Sequence, residues 1–403
     1  MVPTLLVLNA GSSSLKFQVF EQHEGKEPRR VFRGLFDGLG TAPNFMVRDG
    51  SGTRLDEGRW ESGERFGHEQ ALLHLATWLS EHRGGYRLAA VGHRVVHGGP
   101  VFRKPVLVDD AVLRTLEQFI PLAPLHQGHN LEPIRVVSRR FPQLPQIACF
   151  DTSFHQTQPE IARLIALPRE IRDKGVQRYG FHGLSYAYLA SVFPNYGAPL
   201  ASGKVVVAHL GNGASLCAMA NGASVATTMG FSALDGLPMG TRSGSIDAGV
   251  IFYMLSEMRL DVAEVEQVLY SRSGLLGVSG VSNDMRKLRA LAPTDPDARL
   301  AIDLFVYRIN REIGSLVAAL GGLDALVFTA GIGENDPATR REVLHAARWA
   351  GFKIDEEANM RGTGLITQEG SPQAWVIPTD EELIMARDMQ RMLAGEQLAE
   401  ATG

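Results

Sequence analysis

The segment LNAGSSSLKF, residues 8–17, joins two apolar stretches through a glycine, a run of serines and a lysine. The apolar residues before it, 4–9, have the pattern of a buried strand. After it, Leu15, Phe17 and Val19 alternate onto one face of a second strand. The sequence therefore predicts a β-hairpin with an unusually polar tip.

This polar tip carries the donors that a phosphoryl group needs. Its backbone N–H groups, the hydroxyls of Ser12, Ser13 and Ser14 and the ammonium of Lys16 all suit phosphate oxygens. It is not a Walker loop, because Lys16 follows leucine and precedes phenylalanine. Taken alone, the tip is equally compatible with a flexible polar turn, since glycine and serine are common in turns.

The same order of elements recurs in the middle of the chain. The first quarter continues with an Asp-Gly turn inside 48–54 and a helix predicted over 68–83. Residues 204–219, KVVVAHLGNGASLCAM, again give a strand, a glycine-rich turn and a strand, followed by a turn at 221–222 and a third strand. We therefore expect two similar α/β domains, with their tips clamping a polyphosphate across a cleft. The repeat places the domain boundary near residue 150.

A third glycine-rich segment, AGIGEND at 330–336, follows a predicted helix over 297–320 and an apolar strand. We expect it to form a loop, after which Asp336 caps a new helix that has Pro337 in its first position and Gly351 just past its end. Such a loop lets the backbone approach a ligand at a helix N-terminus. By itself it is more often a plain tight turn.

Two arginines lie among small residues, Arg94 in VGHRVVHGG (91–99) and Arg242 in MGTRSGSID (239–247). An arginine without a nearby acid usually belongs to a solvated face or a distant ion pair. The neighbouring glycines favour another interpretation, because they let an anion reach the guanidinium. We expect the pair to hold a carboxylate and to stabilise a phosphoryl group in transfer.

Further segments of the chain contain candidate acid and base groups. Asp151 ends the apolar strand before it in CFDTSFHQTQP (149–159), where a carboxylate would project into a cleft. A lone histidine beside aromatics, such as His155 or His182, is more often a satisfied core residue than a catalyst. Glu381, at the start of the last predicted helix, is explained by helix capping but is also an oxygen ligand for Mg²⁺.

The composition is that of a globular protein that acts on small molecules. The 403 residues are 44% hydrophobic and carry 40 basic against 44 acidic side chains, a net charge of −4. No long run of one charge predicts binding to nucleic acid or to a membrane surface. The N-terminal apolar run is too short for a signal peptide, and Cys149 and Cys217 stand in no ligand motif, so we expect a cytoplasmic protein.

The order and spacing of these segments resemble the acetate kinase family. The resemblance is carried by LNAGSSSLKF, GHRVVHGG, PLAPLH, FDTSFHQT, RYGFHG, HLGNGAS, GLPMGTRSG, AGIGEN and PTDEEL, which span nearly the whole chain. It implies the two-domain actin-like ATPase fold (RNase H-like, ASKHA), with an active-site cleft between the domains. It also implies Mg²⁺-dependent, reversible, in-line phosphoryl transfer from ATP to acetate, giving acetyl phosphate and ADP. Mn²⁺ is an alternative metal, and a homodimer is the expected assembly.

The resemblance also assigns roles to residues of this chain. The implied domains are 1–150, completed by a C-terminal helix over 382–403, and a nucleotide-binding domain over 151–381. The implied catalytic residues are Asp151, His182 and Arg242, with Asp151 expected to orient substrate or a metal-bound water rather than to act mainly as a base. The implied acetate-binding residues are Arg94, Val96 and Leu125, and the implied metal ligands are Asn9 and Glu381. The implied nucleotide-binding residues are Ser12, Ser14, Lys16, His209, Leu210, Gly211, Asn212, Gly213, Asp284, Met285, Arg286, Gly331, Ile332, Gly333, Glu334 and Asn335.

This sequence departs from the family pattern at Ala233, where a proline often closes the pocket for the acetate methyl group. The smaller side chain predicts that propionate is a better substrate than usual. A propionate or butyrate kinase therefore stays an alternative, because one sequence does not fix the preferred carboxylate. The alternative from another class is an actin-like ATPase in which hydrolysis drives a conformational switch.

Overall fold

The structure is a computed structural model, and it describes residues 1–61, 66–82 and 84–396. The chain divides into two compact units. The first unit is Met1–Phe154 together with the C-terminal segment that begins at Asp380, and the second is His155–Thr379. The change of unit thus falls after Phe154 rather than after residue 150, and Asp151 and Glu381 both belong to the first unit.

An eight-stranded sheet forms the centre of the first unit, in the order β5-β4-β3-β2-β1-β6-β8-β7. Strands β1 to β5 form an antiparallel run, whereas β6 and β8 lie parallel to β1. The elements of this unit, in chain order, are β1 (Val2–Ala10), β2 (Ser14–Glu21), β3 (Arg29–Asp37), β4 (Asn44–Asp49), β5 (Arg54–Arg59), α1 (His68–Glu81), β6 (Tyr86–Val95), β7 (Val106–Leu107), α2 (Asp110–Gln118), α3 (Gln127–Arg140) and β8 (Gln146–Phe150).

A six-stranded sheet, in the order β11-β10-β9-β12-β14-β13, forms the centre of the second unit. Its elements, in chain order, are α4 (Glu160–Arg163), α5 (Arg169–Arg172), α6 (Gly183–Val192), α7 (Ala198–Ala201), β9 (Lys204–Leu210), β10 (Ala214–Ala220), β11 (Ala223–Thr227), α8 (Ala248–Ser256), α9 (Val262–Ser271), α10 (Gly274–Ser279), α11 (Met285–Leu291), α12 (Pro296–Leu320), β12 (Ala325–Thr329), α13 (Ala330–Asn335), α14 (Pro337–Ala346), α15 (Glu356–Arg361), β13 (Gly364–Leu365) and β14 (Gln373–Val376). Short 3₁₀ turns lie at Ile120–Leu122, Ser153–Thr157, Phe193–Tyr196 and Arg348–Ala350.

The two sheets share one plan. In the first, β3, β2 and β1 run antiparallel and β6 and β8 continue parallel to β1. In the second, β11, β10 and β9 run antiparallel and β12 and β14 continue parallel to β9. The predicted repetition of one α/β plan is therefore confirmed, and each unit has its polar hairpin tip between the first two strands.

The last helix, α16 (Glu381–Leu393), returns to the first unit and packs on β1 and β6. Gly92 on β6 allows this close approach, because a Cβ there would lie 2.4 Å from the Met389 sulfur. The helix predicted over 382–403 therefore begins at Glu381 and ends at Leu393, and positions 397–403 of that prediction lie outside the described residues.

Other predicted boundaries also need correction. The helix predicted over 68–83 ends at Glu81, and position 83 lies outside the described residues. Two strands were expected around the Asp-Gly turn and are present, but β3 was missed. The AGIGEN segment is the short helix α13 rather than a loop, and it begins at Ala330 in a left-handed conformation with φ 65°.

Candidate functional site

The tip of the β1–β2 hairpin, residues 10–14, is called here the glycine–serine tip. The strand register pairs Ala10 with Leu15, and the Gly11 N–H donates to the Ser14 carbonyl at 2.8 Å. The side chain of Asn130 on α3 donates to the Ala10 carbonyl at 2.7 Å, and its Oδ1 accepts from Val96 N at 2.9 Å. Asn130 therefore ties the base of the tip to the end of β6.

A cavity of about 320 Å³ lies beside this tip in the first unit, and we call it the first cavity. Residues with a predicted role that line it are Asn9, Ser12, Ser14, Lys16, Arg94, Val96 and Leu125. The other lining residues are Ala10, Gly11, His126, His129 and Asn130. The first unit thus brings together the predicted phosphate, carboxylate and methyl contacts.

Arg94 lies at the end of β6 and is held by the groups around it. Its Nε donates to Asp151 Oδ1 at 2.9 Å, its Nη2 to Asp151 Oδ2 at 2.5 Å and its Nη1 to Asn9 Oδ1 at 3.1 Å. Burial lowers the pKa of Arg94, but the nearby carboxylates of Asp151, Glu381 and Glu382 more than offset it and raise that pKa above the usual arginine value. The guanidinium therefore stays charged and fixed in orientation.

Asp151 and Glu381 both lie near the Nε of this guanidinium. Asp151 is 1% exposed and follows β8, and its N–H donates to the Val95 carbonyl at 3.2 Å. Glu381 is the first residue of α16, with Oε2 4.0 Å from Arg94 Nε. Burial raises the pKa of Glu381, the negative charges of Asp151 and Glu382 add to this, and Arg94 partly opposes it. An additional cation at this carboxyl would therefore be favourable.

In the second unit, the β9–β10 hairpin gives the corresponding tip, residues 210–214. Leu210 pairs with Ala214, and the Gly211 N–H donates to the Gly213 carbonyl at 3.0 Å. A cavity of about 780 Å³, called the second cavity, opens beside this tip. Predicted nucleotide residues that line it are Gly211, Asn212, Asp284, Met285, Arg286, Gly331, Ile332 and Asn335. Lining residues that the sequence did not suggest are Asn283, Arg289 and Asp336.

Five predicted nucleotide residues of this unit do not line the second cavity: His209, Leu210, Gly213, Gly333 and Glu334. Leu210 is fully buried, and His209 is buried with Nδ1 2.8 Å from Ser185 Oγ. The carboxylate of Glu334 accepts from the Ala330 N–H at 2.8 Å, which fixes the start of α13. The Gly333 carbonyl accepts a hydrogen bond from Nη1 of the buried Arg340 at 2.8 Å. These contacts hold the two glycine segments in place.

His182 and Arg242 both approach the second tip. A Cβ on Gly213 would lie 3.1 Å from His182 Nε2 and 3.9 Å from Arg242 Nη1, so glycine at this position lets both side chains come close. The His182 ring stacks on His209 with centroids 4.2 Å apart, and its Nδ1 lies 2.8 Å from Ser215 Oγ. Arg242 Nη1 donates to the Ala233 carbonyl at 2.9 Å.

His182 also has an unusual backbone conformation, because it is left-handed with φ 57° at the start of α6. A non-glycine residue in this region is uncommon and costs free energy, so the conformation is one that the surrounding structure imposes. By contrast, His155 is a buried core residue, with ring nitrogens 2.9 Å from Ser224 Oγ and 2.9 Å from the Phe181 carbonyl. The two histidines of neighbouring segments thus differ in environment.

Sequence reasoning missed the residues that orient the predicted ones. Ser215 bonds both His182 and, at 2.5 Å, the Tyr186 hydroxyl, and Asn130 supports the first tip. The signal for Ser215 was its place at the end of the quoted HLGNGAS segment. Nothing in the sequence around Asn130 indicates its two partners, because they lie far away along the chain.

Comparison with known proteins identifies a family. The profile described as "Acetokinase family" matches residues 4–387. An acetate kinase from Rhodopseudomonas palustris is 52% identical over 401 residues, covering 98% of this chain and 100% of the relative.

Solved structures agree with this match. A propionate kinase from Francisella tularensis subsp. tularensis superposes with a TM-score of 0.89 at 36% identity, covering 96% of this chain and 98% of that one. An acetate kinase from Porphyromonas gingivalis gives a TM-score of 0.85 at 35% identity, covering 97% and 100%. The predicted family resemblance and fold class are confirmed.

Proposed function

Because the chain belongs to the acetokinase family, we propose that it transfers the γ-phosphoryl group of ATP reversibly to the carboxylate of acetate, giving acetyl phosphate and ADP. The first cavity supplies the main support among the structural observations. It places one oriented arginine, a small apolar surface and a serine-rich tip around a single space. These are the groups that a short carboxylate and a phosphoryl group need together.

Arg94 is proposed to bind the acceptor carboxylate, with Val96 and Leu125 contacting its methyl group. Each nitrogen of the guanidinium already makes one hydrogen bond, so the second N–H of Nη1 and of Nη2 is left for the acceptor. Asp151 is proposed to orient Arg94 rather than to remove a proton. An ionised acetate oxygen is already a nucleophile and needs no general base.

Positioning and charge neutralisation are proposed to carry most of the rate, by direct in-line transfer. His182 and Arg242 would stabilise the charge on the transferring phosphoryl group, and Ser12, Ser14 and Lys16 would contact the ATP phosphates. The close approach of His182 and Arg242 to Gly213 supports a shared role for the two side chains. The hydrogen bond from Ser215 supports a fixed orientation of the imidazole.

ATP is the family's phosphoryl donor, and we propose the second cavity as its site. Its lining combines the backbone of the second tip and of α13 with the polar ends of Asn283, Asp284 and Arg286. The proposed nucleotide contacts are those predicted from the sequence, His209–Gly213, Asp284–Arg286 and Gly331–Asn335, in which His209, Leu210, Gly333 and Glu334 act by shaping the backbone.

Asn9 and Glu381 are proposed to hold Mg²⁺, with Mn²⁺ as an alternative. Among the described residues no group of three or more His, Cys, Asp or Glu side chains forms a metal centre. The oxygen donors present still fit Mg²⁺, which commonly takes one or two protein oxygens and completes its shell with water and phosphate oxygens. When bound, the ion neutralises charge on the phosphates. The nearby carboxylates of Asp151 and Glu382 add negative charge at Glu381, which a bound cation would offset.

We also propose that the two compact units are the functional domains and that the protein is a cytoplasmic homodimer. The buried, unpaired thiols of Cys149 and Cys217 suit a reducing compartment. No helix in the described part of the chain is long and apolar enough to cross a membrane.

Helix α12 buries most of its apolar residues within its own unit, whereas its Leu300 and Tyr307 are 55% and 60% exposed. A further group of exposed apolar side chains lies on α8 and at the start of α9, where Phe252, Tyr253 and Val262 are 68%, 59% and 74% exposed. We therefore propose this surface for the homodimer contact.

Propionate is proposed as a second acceptor. Ala233 is partly buried and its carbonyl holds Arg242, so the position belongs to the surroundings of a proposed catalytic group. A residue smaller than proline there leaves room for a longer acid. The likeness to a propionate kinase agrees with this extension, although the family itself includes both acceptors.

A hydroxylamine trap for acyl phosphate tests the proposal directly. The protein is incubated with MgATP and hydroxylamine, and acetate, propionate and butyrate are supplied in parallel at several concentrations. Acyl hydroxamate formed with acetate, and to a smaller extent with propionate, is the expected result. ADP release without hydroxamate from any acid would instead favour the ATPase switch.

A further inference from the structure

His68, the first residue of α1, contacts the glycine–serine tip although it does not line the first cavity. Its Nε2 lies 2.8 Å from the Gly11 carbonyl oxygen, and the side chain is almost fully buried. A carbonyl oxygen can only accept, so Nε2 carries the proton and donates it. The contact joins residues far apart in sequence, which fixes the tip to the start of a helix.

Helix α3 fixes the orientation of the His68 ring from its other side. Nδ1 lies 3.5 Å from Glu132 Oε2, and the His129 ring is tilted by 29° to the His68 ring, with the two centroids 6.2 Å apart. His129 itself lines the first cavity. The ring thus lies beside Glu132 and His129 of α3, and its Nε2 is directed at the Gly11 carbonyl.

Holding the Gly11 carbonyl also fixes the amide that follows it. The described residues contain no cis peptide bond, and in a planar trans peptide the C=O and the next N–H point in opposite directions. With the Gly11 carbonyl turned toward His68, the Ser12 N–H points away from it. Within the described part of the chain, no group accepts from the N–H of Ser12 or Ser13.

We infer that His68 is a positioning residue, which orients the Gly11–Ser12 peptide so that the Ser12 N–H is available to a phosphate oxygen of ATP. The inference rests on the proposed function, because it takes the tip as a phosphate contact. Asn130 holds the neighbouring Ala10 carbonyl independently, so the hairpin keeps its base when His68 is replaced. Replacing His68 should therefore change mainly the direction of the Gly11–Ser12 peptide.

Two substitutions with side chains of similar length, Gln and Met, distinguish the proposed positioning role of His68 from a role in packing alone. His68→Gln keeps an N–H donor that can reach the Gly11 carbonyl, whereas His68→Met fills similar space without a donor. His82→Met is the matched control. His82 also places a ring nitrogen 2.9 Å from a backbone carbonyl, that of Trp78, but it lies about 20 Å along α1 from His68.

The measurement is kcat and KM for MgATP and for acetate by the hydroxamate assay, together with Tm. We expect His68→Met to lower kcat/KM for MgATP by about tenfold to thirtyfold, with KM for acetate within about twofold of the parent. His68→Gln should recover most of this loss, and His82→Met should match the parent in kinetics.

Equal kinetics of the Gln and Met variants at position 68 would overturn the inference, as would a fall in Tm with kcat/KM unchanged. If His68→Met does not fold, His68→Leu replaces it as the variant without a donor, and the same loss of about tenfold to thirtyfold in kcat/KM for MgATP is expected. A parent protein that forms no hydroxamate would contradict the proposed function instead, so the two failures are distinguishable.

Discussion

The carboxylate of Asp151 accepts two hydrogen bonds from Arg94, from Nε at 2.9 Å and from Nη2 at 2.5 Å. This paired geometry gives both residues a fixed position, because a planar guanidinium and a carboxylate match in shape. It also leaves Arg94 fixed in place for the second carboxylate that we propose it binds, that of acetate.

Asp151→Asn is expected to leave almost no turnover in the hydroxamate assay. The asparagine amide presents N–H groups where Arg94 needs an acceptor, so one of the two bonds is lost and the guanidinium turns. Asp303→Asn, which removes an exposed ion pair with Arg299, serves as the control and should retain parent activity. Substantial turnover in Asp151→Asn would show that no charge is required at this position.

Ser215→Ala is expected to lower kcat by about tenfold while the KM for acetate changes little. Ser215 Oγ bonds His182 Nδ1 at 2.8 Å and the Tyr186 hydroxyl at 2.5 Å, so its loss frees the imidazole that is proposed to face the transferring group. Tyr186→Phe removes only the outer bond and should have a smaller effect. Steady-state kinetics of both variants test this order, and the reverse order would contradict it.

Ala233→Pro is expected to reduce kcat/KM for propionate more than for acetate. If position 233 limits the acceptor's length as the family pattern implies, a proline ring would remove room for an extra methylene, and one buried methylene is worth about 0.8 kcal/mol. The parent should use propionate within about tenfold of acetate by the same measure. A parent preference for acetate far above this, or an equal effect of the substitution on both acids, would show that other residues set the pocket size.

His155 predicts a loss of folding stability in acid. Burial lowers the pKa of His155 to about 4, whereas an unfolded histidine titrates near 6.5. The folded protein therefore keeps the ring neutral, and its contribution is complete above about pH 6.5 and falls by roughly 3 kcal/mol as the pH drops to about 4.

Urea unfolding at pH 7.5 and pH 4.5 measures this effect. His155→Gln should be less stable than the parent at pH 7.5, because the contacts with Ser224 and the Phe181 carbonyl are altered. It should also lose less stability between the two pH values. An unchanged pH dependence in the variant would show that His155 is not one of the groups responsible.

Much of the fold follows from local sequence patterns. Both polar hairpins were predicted because apolar runs flank a glycine-rich turn, and α14 because Asp336 and Pro337 give a strong helix start. Strand β3 was missed because its exposed and half-buried residues mix without clean alternation. The sequence predicts a loop for the α13 segment because glycine is a poor helix former, whereas contacts from Arg340 and the Glu334 carboxylate stabilise a helix there.

The site was less accessible to sequence reasoning than the fold. The resemblance indicated Arg94 and Asp151 separately, but their bond depends on parallel pairing of β6 with β8, which sets Arg94 opposite Cys149. Similarly, the bonds of Asn130 and His68 to the first tip arise only when α3 and α1 pack beside it. Supporting contacts of this kind depend on tertiary structure, and no local pattern predicts them.

The most direct test of the account is acyl hydroxamate formation by the parent and by Arg94→Ala, with MgATP and a range of acetate concentrations. Arg135→Ala, which removes a partly exposed ion pair with Glu117 in the same unit, is the matched control. We predict hydroxamate from the parent and the control, and a loss of about a hundredfold or more in kcat/KM for acetate in Arg94→Ala. Unchanged kcat/KM for acetate in Arg94→Ala would contradict the assignment of the first cavity as the acetate site.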